Sequence, residues 1–171
     1  MIASLGEAAV PVKAVQPVMR KLVEWGQSRQ VRLMVSIGGI PVPDRQDIED
    51  VKVYGAASSK DLLKTLSEKG IEPLKGGFMV GPNALIMRYC AERSIPAIAL
   101  LAQSFYNYPD PEAAAAAIKE FSKLTGVTID VAKLIEGGEE IRLRARDVMK
   151  RTTEELNRMK KTQEFDLPLY V

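Results

Sequence analysis

The chain has 171 residues, 24 basic and 22 acidic side chains, a net charge of +2, one cysteine and no histidine. That is enough chain for one domain with a proper core, and a charge balance too even to argue for a nucleic-acid partner. Without imidazole, and with Cys90 alone, one protomer cannot build an internal disulfide, a Ser-His-Asp or Cys-His device, or a thiolate-rich zinc site.

Met1–Leu5 is apolar, begins abruptly and reads as the end of a strand, as if residues preceded it. A helix follows, with Val15, Val18, Met19, Leu22, Val23 and Gly26 on one face. Pro17 suits its first turn, which leaves Pro11–Gln16 as loop. Trp25 reads as a partly buried packing residue.

Val31–Ile37 is a short β-branched apolar run, the pattern of a central strand covered on both faces. Gly38-Gly39 ends it, and Pro41 and Pro43 forbid both a ladder and a helix. The glycines make either a tight exit under neighbouring helices or the mouth of a ligand site at the sheet's carboxyl end. Asp44–Asp50 reads as a solvated acidic loop. Val51–Ala57 is a second strand, and Ser58 or Ser59 caps a helix to Lys69 with Leu62, Leu63 and Leu66 inward and Gly70 as the stop. Ile71–Leu74 is a short strand.

Three glycines within Lys75–Asn83 lead into a helix from about Pro82 to Arg93. They form either a tight turn or an anion cradle, but not a P-loop, because no Gly-Lys-Ser/Thr follows. Ile95–Ala102 is a buried strand with Pro96 at its entrance. Phe105, Tyr106 and Tyr108 crowd the loop after it, where they pack the loop or cover a subunit contact. No basic residue lies between Leu100 and Ile118 to serve a phosphate. Asp110-Pro111 starts an alanine-rich helix that stops at Gly126.

A long helical stretch begins at Thr128 or Asp130, with Gly137-Gly138 as a bend. Glu139–Lys161 carries eight basic and five acidic residues. Ala145, Met149, Thr152, Leu156 and Met159 form a narrow seam there, for the chain's own body or for another subunit. After Thr162 the helical pattern is gone, and Thr162–Pro168 can extend on the order of 25 Å. The end is hydrophobic-tyrosine-any, which reads either as an apolar tail folded on the chain's own surface or as a hook, with Leu169 for an apolar slot, Tyr170 for a ring and a polar partner, and Val171 for a carboxylate paired with a lysine. These patterns divide the chain into an α/β core over 1–128, a helical segment over 129–161 and a docking tail over 162–171. No apolar run nears about 18 residues and no charged-then-apolar leader is present, so a soluble cytoplasmic protein without membrane, metal or cofactor partners is expected.

The ordered set Ser36-Ile-Gly-Gly-Ile-Pro-Val-Pro, Val53-Tyr-Gly-Ala-Ala, Gly76-Gly-Phe-Met-Val-Gly-Pro-Asn83, Ile95-Pro-Ala-Ile-Ala-Leu-Leu-Ala102 and Tyr108-Pro-Asp-Pro-Glu-Ala-Ala-Ala115 resembles the archaeal branch of the proteasome assembly chaperone family. The resemblance runs from about Met1 to Lys161, and Leu169-Tyr170-Val171 matches the docking motif of such chaperones and of proteasome-activating ATPases. It implies a three-layer α/β domain like that of nucleoside phosphorylases, with a mainly parallel sheet, a long carboxyl-terminal helix and an extended tail. It implies homo-oligomers that display several tails, no enzymatic role, and the α-subunits of the proteasome core particle as partner. Family members usually open with another strand-helix unit bearing a Gly-Phe-Pro-Gly-like segment, which this sequence lacks. The rival expectation is a nucleoside- or phosphate-type enzyme or binding protein, with a pocket lined by Ser36, Gly38, Gly39, Asn83 and Ser104.

Overall fold

A computed structural model describes residues 1–5, 10–106 and 109–138. The elements in order are α1 (Val12–Ser28), β1 (Met34–Pro41), a one-turn 3₁₀ helix (Arg45–Asp47), β2 (Val53–Ala57), α2 (Lys60–Glu68), β3 (Glu72–Pro73), α3 (Gly81–Glu92), β4 (Ala97–Ser104) and α4 (Pro111–Thr125). Residues 132–138 are again helical.

The four strands form one sheet in the order β1-β4-β2-β3. β4 lies parallel to β1 and antiparallel to β2, and β2 lies parallel to β3. Two of three pairings are therefore parallel, and helices cover both faces. This is the expected three-layer α/β arrangement. On one side α1 packs on α3, and Val23, Tyr89, Cys90, Ile95 and Ala97 form the core. On the other, α2 and α4 pack on Leu66, Ile71, Ile98 and Leu100. Each large apolar side chain fully buried there contributes roughly 1.5–3 kcal/mol.

The centre of the sheet is β4, not the 31–43 stretch. Ala97 through Ala102 are six consecutive buried residues, the pattern of a strand covered on both faces. β1 is the outer strand among the described residues, and its burial alternates. It also runs on through Gly38-Gly39 to Pro41, which stands opposite Ser104. The proline is tolerated because of its phase. The amides of Met34 and Val42 donate across to Pro96 and Ser104, so even-numbered N–H groups face β4. Position 41 would donate outward, where no ladder bond is lost.

Other expectations shift in the same way. α1 begins at Val12 and holds Pro17 inside it, so 12–16 is helix rather than loop. Val18 and Trp25 are exposed. Met1–Leu5 is exposed and not a strand. The capping predictions hold: Ser59 accepts from the Leu62 amide, Asp110 accepts from the Ala113 amide, and Gly126 closes α4 at φ 74°. Among the described residues no helix is long and apolar enough to cross a membrane.

Candidate functional site

Of the predicted lining residues, Gly38, Gly39 and Ser104 lie in the carboxyl halves of β1 and β4 and Asn83 in the first turn of α3, while Ser36 sits earlier in β1, and the set divides between two faces. Successive strand residues point to opposite sides. Met34 packs in the α1/α3 core, so Ser36 and Gly38 share that side. There the Asn83 carboxamide of α3 lies where a Cβ on Gly38 would stand. Gly39 faces the other way, and the Ser104 hydroxyl occupies the space of its missing Cβ. The structure thus joins Asn83 to Gly38 and Ser104 to Gly39, with the sheet between the two pairs. Cys90 Sγ stands 3.5 Å from Met34 Sδ, so α3 runs opposite to β1 and its middle covers Ser36. Among the described residues the buried Ser36 hydroxyl has no hydrogen-bond partner.

The glycine segment before α3 keeps its turn character. Gly76, Gly77 and Gly81 all have positive φ, and Val80 precedes α3 without a side-chain cap. Phe78 is completely exposed there.

The strongest polar construction of the region was not legible as such. Asp44–Asp50, expected as a solvated loop, contains Arg45, whose side chain is fully buried. Its Nε donates to Asp110 Oδ2 at 2.7 Å, Nη2 to Asp110 Oδ1 at 3.0 Å and to Glu112 Oε2 at 3.1 Å, and Nη1 to the Ile48 carbonyl at 2.8 Å. The guanidinium also lies 5.2 Å from the centre of the Phe105 ring, a cation–π distance. Asp110 accepts in addition from the Phe105 and Ala113 amides. One carboxylate therefore caps α4, ties down the loop after β4 and holds the loop after β1.

That geometry accounts for one of the three aromatics of the loop. Phe105 is buried under Arg45, Tyr106 is exposed, and Tyr108 lies outside the described residues. The sequence shows only that no basic residue lies between Leu100 and Ile118, so any ion partner of Asp110 or Glu112 comes from another segment. Chemically the cluster is self-satisfied. Its four charge-assisted or carbonyl bonds leave no group poised for proton transfer. Among the described residues no group of three His, Cys, Asp or Glu side chains could hold a metal ion. The 139–161 seam and Leu169, Tyr170 and Val171 lie outside the described residues.

The PAC2 family's sequence pattern matches residues 8–149. An uncharacterised protein of Methanocaldococcus jannaschii is 33% identical over 115 residues, which is 67% of this chain and 44% of that protein. A second from the same organism is 23% identical over 88% of this chain and 59% of its own length. Among solved structures, Pyrococcus furiosus PbaA, described as an archaeal homolog of proteasome-assembly chaperone, superposes with TM-score 0.74 at 21% identity, covering 93% of this chain and 66% of that one. P. furiosus PbaB, described as an archaeal proteasome activator, superposes with TM-score 0.73 at 26% identity, covering 84% of this chain and 63% of that one. The chain spans about half the length of the sequence relatives it matches.

Proposed function

The chain belongs to the PAC2 family, and from that premise we propose that it is a proteasome assembly chaperone or adaptor that docks on the core particle without ATP. Leu169, Tyr170 and Val171 carry recognition, entering pockets between neighbouring α-subunits. The body forms a homo-oligomer in the cytoplasm and displays several tails, so that a weak tripeptide gains from multivalency. The observation that carries this reading is a conjunction. A body shaped like PbaA and PbaB stands on the same chain as a carboxyl-terminal Leu-Tyr-Val.

The body acts as scaffold rather than catalyst in this reading. Side chains of the protein itself fill the spaces that Gly38 and Gly39 leave, and Arg45 of the buried ionic cluster is engaged by Asp110 and Glu112. The test is co-purification with native core particle, using the full chain and a chain ending at Pro168. Loss of capture with a body that still melts cooperatively is expected; unchanged capture overturns tail docking.

A further inference from the structure

We infer that the body associates with a second copy of itself through an apolar face at the carboxyl end of β1, built on Phe78 and Val80. The inference gives the homo-oligomer of the reading above its contact, and it stands or falls without the tail.

The topology brings the face together. Arg20 lies 5.3 Å from the centre of the Tyr89 ring, and Glu24 Oε1 accepts from Arg93 Nη2 at 3.3 Å. One turn along α1 therefore matches one turn along α3, so the two helices run parallel and in step. Carried back at the same spacing, Val12, the first residue of α1, stands level with Gly81, the first of α3. Asn83 in turn lies over Gly38, in the carboxyl half of β1. The segments that enter both helices thus lie at that end of the sheet, Val10 and Val12 on one and Phe78 and Val80 on the other. All four side chains are exposed, Phe78 completely and Val12 and Val80 by 90% and 84%. Tyr106, also exposed, follows the end of β4, where Ser104 stands opposite Pro41.

The local backbone explains the projection. Val80 is extended at φ −129° and ψ 165°, and along extended chain alternate side chains point the same way. Phe78 and Val80 stand out together, while Met79 between them is half-buried. Gly76, Gly77 and Gly81 have positive φ, so the chain bends before and after this apolar tripeptide.

Charge and area argue for a second copy as the occupant. Val10–Gln16 and Gly76–Asn83 together hold one charge, Lys13. Such a face meets its own copy with little repulsion and offers little to a charged partner. Contacts between identical subunits are the more apolar class, and a two-fold contact sets the same patch against itself. A stable contact takes roughly 800 Å² from each partner. Phe78 and Tyr106 supply about 150–250 Å² each, on the order of half before the valines are added.

The experiment follows self-association of the full chain by sedimentation across a micromolar concentration range, for the native chain, F78E and V80E. Both side chains are exposed, so the variants should melt as the native chain does. Each should raise the dissociation constant roughly tenfold or more, as loss of a central apolar anchor does. K64E, at an exposed position of α2 in the other helical layer, should leave it unchanged. Mixing F78E with F78K should restore association above that of either alone, because each copy turns the same face to the other. A native chain that stays monomeric, F78E that associates like the native chain, or a mixture no better than its parts overturns the inference. An undisturbed oligomer whose F78E variant loses capture of core particle, or binding to neutral lipid vesicles, also overturns it and assigns the face to that occupant. The chain ending at Pro168 separates this contact from tail docking: it should associate as the full chain does, whatever happens to its capture, and loss of association there overturns the contact.

Discussion

Arg45 is the residue on which three segments converge. With its side chain fully buried and that of Asp110 only 5% exposed, removing one partner strands the other's charge in a low dielectric. Arg45→Met should cost about 3–5 kcal/mol of stability, read from the urea midpoint. R45M with Asp110→Asn should be less damaged than R45M alone, since asparagine still caps α4 and carries no orphan charge. Equal losses in the two variants would show that the charge is not what matters. Cys90 makes a separate case. Burial pushes its thiol up, against a smaller opposing effect of Arg93. The folded state thus holds the proton more tightly than the unfolded chain does. Stability is unaffected below the ordinary thiol range and falls as pH rises through it. Cys90→Ala should flatten that alkaline limb in pH-dependent melts, and native Cys90 should label slowly with thiol reagents at neutral pH.

At the scale of elements, the revealing helix is α1. Its periodicity was readable in part, because Met19 and Val23 do pack in the core shared with α3, while Val18 stays exposed. Its start was not, because proline rules penalise an interior Pro17 that the structure nevertheless keeps. An exposed proline inside a helix removes a hydrogen bond and crowds the preceding turn. Pro17→Ala should therefore stabilise by about 1 kcal/mol, a gain of roughly 2–4 °C in Tm for a chain of this length. No gain would mean that α1 is already broken at that point. The strands teach the complementary lesson. Apolar runs at 31–37 and 95–102 located two strands, but β1 and β4 start at Met34 and Ala97 and run on to Pro41 and Ser104. Which of them was central depended on who paired with whom, although only 31–37 carries polar side chains, Arg32 and Ser36. Pro41 was read as a stop because the phase of its amide relative to β4 cannot be seen from one strand.

For the whole molecule, the proposed function makes the body the carrier of a recognition element. If Leu169–Val171 supplies the affinity, a synthetic peptide of the last ten residues should compete with the full chain for core particle, only far more weakly, because the peptide lacks multivalent display. Competition at equal concentrations would argue that the body contributes nothing; no competition at any concentration would place recognition elsewhere. The exposed Phe78 and Tyr106 are the first surfaces to probe in that second outcome.

Local chemistry determined a good deal here. Caps such as Ser59, Asp110 and Gly126 are properties of neighbouring residues, and short-range rules read them correctly. Tertiary structure alone decided the strand order, the division of Gly38 and Gly39 between two faces, and the burial of Arg45 in an acidic stretch. Each of those depends on groups brought together from sixty or more residues apart, or from separate elements. Pairing energies of that kind leave no mark on the local sequence until the chain has folded.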